Sequence, residues 1–122
     1  MVILVAEDDV DVRLLIWNLL STDGFTVLTA GNGEAGLEKS CNHPGPVDLL
    51  LTDLEMPRMS GLELYRAIAT ERPGIKVLTM SGEFRLRDQP SMNGLPFLQK
   101  PFTAMALRDA IEALLGSIPS VK

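Results

Sequence analysis

The sequence predicts an α/β domain built as a doubly wound, five-stranded parallel sheet with helices on both faces. Two observations carry this. Five short segments, VILVA (2–6), FTVLT (25–29), VDLLLT (47–52), IKVLTM (75–80) and PFLQ (96–99), are the near-continuous apolar or β-branched runs of strands buried on both faces. Between them lie stretches with helical spacing, and strand-helix alternation of this kind implies a parallel sheet with right-handed crossovers. The chain has 122 residues and is 46% hydrophobic, the size of one domain with a real core. No repeat, low-complexity tract or linker divides it, so residues 1–122 read as a single domain.

Each element has its own justification. After "VILVA", Leu14, Trp17 and Leu20 are three apart, and Leu15 and Leu19 fill the same stripe, which predicts a first helix with that face on the sheet. "NGEAGLEKS" predicts a shorter second helix with only Ala35 and Leu37 to bury, and "SCNHPGPVD" reads as a connector. Ser60 followed by Glu63 is a capping box for a third helix carrying Leu62, Tyr65, Ile68 and Ala69 until "RPG" stops it. In residues 83–95 Pro90 and Asn93-Gly94 interrupt any helix, so a fourth helix is short or irregular. The last helix starts near Thr103, buries Leu107, Ala110, Ile111 and Leu114, and closes at "GSIPS". A flavodoxin-like strand order, 2-1-3-4-5, suits this succession.

Charge and composition exclude several functions. Net charge is −5 and no basic cluster is present, which argues against direct nucleic-acid binding. No apolar run approaches the roughly 20 residues of a membrane span. A soluble, cytoplasmic protein is expected. The lone Cys41 cannot form an internal disulfide, and His43, the chain's one histidine, lies in the same polar loop, so a catalytic thiol is a poor reading.

In a sheet of this kind, function collects at the carboxyl ends of the strands. The first strand ends in "AEDD", placing Glu7, Asp8 and Asp9 at the rim; the third ends in Asp53, the fourth in "TMSGE" with Ser81, and the fifth in "QKP" with Lys100. Strands one and three are neighbours in the 2-1-3-4-5 order, so Glu7 or Asp8 comes close to Asp53. Carboxylates that close repel unless a cation intervenes, and Mg²⁺, which takes one or two carboxylates and keeps its waters, suits the set better than Ca²⁺. Lys100 and Ser81 supply the ammonium and hydroxyl that a phosphoryl group on Asp53 would require, since a carboxylate can act as nucleophile and carry an acyl phosphate. Asp9 is best placed as the cap of the first helix. Met56-Pro57 would turn the chain away and leave Asp53 exposed, with Arg58 and Met59 at the surface.

Four motifs in order, the acidic "EDD", "DLEMPRMSG", "SGE" and "KPF", resemble the receiver domain of two-component response regulators, over essentially the whole chain. The resemblance implies that Asp53 is the phosphoacceptor and that Glu7 and Asp8 are the acidic pair, Asp8 being the more direct Mg²⁺ ligand. It implies that Glu55 lends its backbone carbonyl to the metal and that Ser81 moves to the phosphoryl group. Lys100 would hold that group and precede a cis bond to Pro101, and Phe97 would reorient with Ser81. It also implies a sensor histidine kinase or histidine phosphotransfer protein as partner, in a phosphorelay, and tuning of phosphate lifetime by the positions of Glu55 and Glu83. With an irregular fourth segment, a monomer or weak dimer is expected rather than a stable dimer.

Three other readings compete. "GNGEAG" (31–36) is a literal G-x-G-x-x-G, but Glu34 would put negative charge where a pyrophosphate should sit. Asp53-Leu54-Glu55 is similar to the D-x-D of haloacid-dehalogenase-like phosphatases, in which the nucleophile ends the first strand rather than the third. The last is a receiver fold used purely as an interaction module, without phosphorylation.

Overall fold

The computed structural model describes residues 1–120. Its elements run β1 (Val2–Ala6), α1 (Val10–Thr22), β2 (Thr26–Ala30), α2 (Gly33–Asn42), β3 (Leu49–Asp53), α3 (Gly61–Glu71), β4 (Lys76–Ser81), β5 (Phe97–Gln99) and α4 (Ala104–Leu115). All strand pairs are parallel, in the order β2-β1-β3-β4-β5. The predicted architecture and strand order hold.

Alternation along the strands divides the core in two. Ile3, Val5, Leu49, Leu51, Leu78 and Met80 point to the layer closed by Ile16 and Leu20 of α1 and Leu107 and Ile111 of α4. Leu4, Ala6, Leu50 and Val77 point the other way, against Leu64 and Ile68 of α3. Every residue of β3 is buried, which is why it opens on the apolar run Leu49-Leu50-Leu51 before Thr52 and Asp53.

The predicted face of α1 is right for Leu19 and Leu20 and wrong for Leu14, Leu15 and Trp17. Leu14, Leu15 and Trp17 are 61%, 54% and 44% exposed, while Ile16 and Leu20 are buried and Val12 and Leu19 pack beside them. The helix is apolar nearly all round, so two stripes compete and spacing alone does not choose between them. Asp9 caps the helix through the Asp11 and Val12 amides, and Arg13 Nη1 donates to the Glu7 carbonyl at 2.8 Å; together these fix the rotation that buries Ile16.

Other elements depart less. α2 continues through Cys41 and Asn42, two residues past the predicted NGEAGLEKS, and it buries Gly33, Gly36 and Ser40 more deeply than Ala35 or Leu37. The capping box of α3 forms as predicted, with Ser60 and Glu63 bonded reciprocally. Leu64 and Ile68 are its most buried positions, with Tyr65 and Ala69 packed at their edge. Between β4 and β5 the chain makes two short 3₁₀ turns, Phe84–Asp88 and Pro90–Met92, instead of an α-helix. Pro90 opens the second turn, and the left-handed Asn93 and Gly94 end it. Met92, fully buried, anchors this segment.

Candidate functional site

Strand register assembles the site. Ala6 pairs with Thr52 and Asp53 with Met80, so the loop after β1 and the end of β3 lie side by side. Ser81 pairs with Gln99, and the Lys100 amide donates to the Ser81 carbonyl at 2.8 Å, which brings Lys100 to the same rim. Four strand ends thereby place Glu7, Asp53, Ser81 and Lys100 around one crevice.

Lys100 is the hub. Its Nζ donates to Glu7 Oε1 at 2.5 Å and to Asp53 Oδ2 at 3.1 Å. The second Asp53 oxygen, Oδ1, accepts the Glu55 backbone N–H at 3.2 Å, and Glu7 Oε2 accepts the Asp9 N–H at 3.1 Å. Asp53 is only 6% exposed, not the open carboxylate expected from the turn at Met56-Pro57. Met56 folds inward and Met59 is half-buried, so only Pro57 and Arg58 of that turn stand in solvent.

The backbone is built to permit this. A Cβ on Gly61 would lie 2.2 Å from the Asp53 carbonyl oxygen, so only glycine lets α3 start against the end of β3, where the Gly61 amide bonds the Leu54 carbonyl at 3.1 Å. The peptide bond between Lys100 and Pro101 is cis.

Electrostatically the site is an acidic cluster with one ammonium in it. Carboxylate oxygens of Glu7, Asp8 and Asp53 lie within 4.8 Å of one another, with Glu7 and Asp53 buried and Asp8 exposed. Burial pushes the Glu7 carboxyl above its ordinary range, and the Asp53 charge adds to this, outweighing the Lys100 and Asp9 hydrogen bonds that pull it down. Burial alone would lower Lys100, but its bond to Glu7 and the charges of Asp53 and Glu7 reverse that, so its ammonium is held above the ordinary range. Three carboxylates outnumber one ammonium. Hard oxygen donors in excess at this separation suit a small divalent cation, which would relieve the repulsion.

Ser81 is at the rim but turned from Asp53. Its hydroxyl donates to Glu55 Oε1 at 2.8 Å and accepts the Glu83 N–H at 2.9 Å. The Glu55 carboxylate is thereby engaged with Ser81, and Asp53 ends the third strand, not the first as in the D-x-D phosphatases. Phe97 is half-buried and meets Phe84 edge to face, centroids 6.3 Å apart, with the Arg87 guanidinium 4.2 Å over the Phe84 ring. No local pattern marks the Glu55–Ser81 bond, which joins residues 26 apart. Gly61 was signalled by its place after the Ser60 cap.

The glycines of "GNGEAG" have packing work. A Cβ on Gly33 would fall 2.8 Å from Met59, on Gly36 3.1 Å from Leu64, and on Gly31 3.0 Å from the Arg13 guanidinium. Gly33 and Gly36 let α2 approach the β3–α3 loop and α3, and Gly31 leaves room for Arg13 of α1. Glu34 stands at the start of α2 and pairs with Arg58 at the surface.

Known proteins are similar to this chain in sequence and fold. The family model described as the response regulator receiver domain matches residues 3–112. The chemotaxis protein CheY of Pseudomonas aeruginosa is 38% identical, the match covering 97% of this chain and 98% of that protein. The response regulator receiver protein CpdR of Brucella abortus is 34% identical, covering 93% and 95%. Among solved structures, the response regulator TrrA of Thermotoga maritima, in complex with Mg²⁺-BeF, is 30% identical with a TM-score of 0.83 over 93% of this chain and 98% of that one. The chain is a receiver domain, a member of the response regulator receiver family of two-component signalling.

Proposed function

We propose that Asp53 accepts a phosphoryl group from a phosphohistidine on a sensor histidine kinase or histidine phosphotransfer protein. The observation that carries this is Lys100, which touches both Glu7 and Asp53 in a cluster otherwise in carboxylate excess. In the transfer, an Asp53 carboxylate oxygen forms a bond to phosphorus as the P–N bond to imidazole breaks, and the released imidazole nitrogen takes up a proton. Residues 1–122 act as one phosphoacceptor unit.

Glu7, Asp8, Asp53 and the Glu55 carbonyl would hold Mg²⁺, which supplies charge neutralisation to the phosphoryl oxygens when bound. Lys100 is the residue of this chain that meets the incoming charge: its ammonium already spans the two buried carboxylates and shifts to the new oxygens. Ser81 then donates its hydroxyl to the phosphorylated aspartate, and Phe97 follows, which passes the signal to the surface. The kinase or phosphotransfer protein seats on the exposed stripe of α1, Val10, Leu14 and Trp17, which begins directly after Glu7-Asp8-Asp9.

The test is incubation with Mg²⁺ and a small acyl-phosphate donor, read by intact mass. One acid-stable, base-labile phosphate per chain is expected, absent from Asp53→Asn. No adduct, or an adduct that survives Asp53→Asn, refutes the assignment.

A further inference from the structure

We propose that the Glu55 side chain is a latch: it holds the Ser81 hydroxyl out of the phosphoacceptor site until phosphorylation, and so sets the population of the switched conformation. This rests on the reading of Asp53 as the acceptor.

The argument begins with the valence of one hydroxyl. A serine O–H has a single proton to give. In this structure Ser81 gives it to Glu55 Oε1 at 2.8 Å, while its oxygen receives the Glu83 N–H at 2.9 Å. Ser81 is 1% exposed, so its hydroxyl is shielded from water, while the Glu55 residue that accepts from it is exposed and able to swing away. The hydroxyl therefore cannot donate to a phosphoryl group on Asp53 unless the bond to Glu55 breaks.

Glu55 also reads the state of Asp53. Its backbone N–H donates to Asp53 Oδ1 at 3.2 Å, so the residue that restrains Ser81 is joined to the group that becomes phosphorylated. An acyl phosphate at Asp53 adds negative charge beside the Glu55 carboxylate, and repulsion moves that carboxylate away. One proton donor is then exchanged between two anionic acceptors: Glu55 in the resting protein, phosphoryl oxygen in the modified one. A hydrogen bond to a charged acceptor is worth about twice a neutral one, so exchanging one such bond for another keeps the two states close in energy. That is the condition for a switch.

Glu55 is thus a positioning residue that acts through Ser81, and the distinguishing prediction is coupling between the two. Affinity for beryllofluoride in the presence of Mg²⁺, a mimic of the phosphoryl group, measures the cost of leaving the resting state. In Glu55→Ala the affinity should rise about tenfold, because the tax of breaking the latch is gone. In a Ser81→Ala background the same substitution should change affinity less than about twofold. An equal gain in both backgrounds would mean that Glu55 acts by bulk repulsion alone and would overturn the proposal, as would no gain in either.

A second readout needs neither metal nor mimic. In the metal-free protein, losing Glu55 frees Ser81 to turn, so the Glu83 amide proton should exchange with solvent about tenfold faster in Glu55→Ala, while Glu55→Gln, which keeps an acceptor oxygen, should stay nearer the wild type. Unchanged Glu83 exchange in Glu55→Ala overturns the latch. Failure of the wild type to bind beryllofluoride would instead refute phosphoryl acceptance, leaving the amide measurement to decide the latch.

Discussion

At the scale of single residues, the site is a balance of charges held in a small volume. Glu7 is the most constrained of them, fully buried and bonded to Lys100. Its carboxyl is raised above an ordinary value of 4.5, so the folded chain binds that proton more tightly than the unfolded chain does. The stability this contributes is complete below the ordinary value and is lost as pH climbs through the raised one. In chelator, the stability of wild type relative to Glu7→Gln should therefore be greatest below the ordinary value of 4.5 and fall as pH rises through the raised one, leaving Glu7→Gln the more stable form above it. Urea midpoints at a series of pH values check this, and a difference that does not change with pH contradicts it. Arg72 makes a purely structural contrast: its guanidinium donates to Ser40 Oγ and to the carbonyls of Ser40, His43 and Gly45, tying the end of α3 to the loop before β3. Arg72→Ala should cost about 2 kcal/mol in urea melts while the yield of phosphate adduct stays unchanged.

At the scale of elements, some segments were legible in sequence and others were not, for identifiable reasons. Strands β1, β3 and β4 stood out because burial on both faces calls for consecutive apolar residues, at 3–6, 49–51 and 77–78, and confines the polar positions to Lys76, Thr79 and the carboxyl ends. α3 and α4 were legible through their caps, Ser60 with Glu63 and Thr103 with Gly116, because capping is local chemistry. α1 was legible as a helix but not in its rotation. Its exposed stripe should matter for association and not for folding: Leu14→Gln with Trp17→Gln should leave the unfolding free energy from urea melts within about 0.5 kcal/mol of wild type. The same pair should slow transfer from a phosphohistidine protein while leaving modification by a small acyl phosphate unchanged, a difference that time courses with both donors would detect. The 3₁₀ segment was foreseeable from Pro90 and Asn93-Gly94, but Met92 as its anchor was not, since a lone methionine in a polar loop has no periodicity to mark it. Met92→Ala should cost about 2 to 4 kcal/mol, measured by denaturant melts.

At the scale of the whole molecule, the 2-1-3-4-5 order is what turns scattered acids into a site. Glu7 and Asp53 are 46 positions apart in sequence, and Lys100 is 47 beyond Asp53, yet parallel neighbours deliver all three to one edge. That much could be read from strand ends alone. What could not be read was the traffic between side chains: that Asp53 is nearly enclosed, or that Ser81 rests on Glu55. Such facts depend on rotamers and depth rather than pattern. The central claim is that this edge exists to carry phosphate on one carboxylate, and reductive trapping tests it most directly. After treatment with Mg²⁺ and a small acyl phosphate, borohydride reduces an aspartyl phosphate to homoserine, which peptide mass mapping locates. Conversion at position 53 and nowhere else is the predicted result; conversion at another acid, or at none while the protein remains folded, would contradict it.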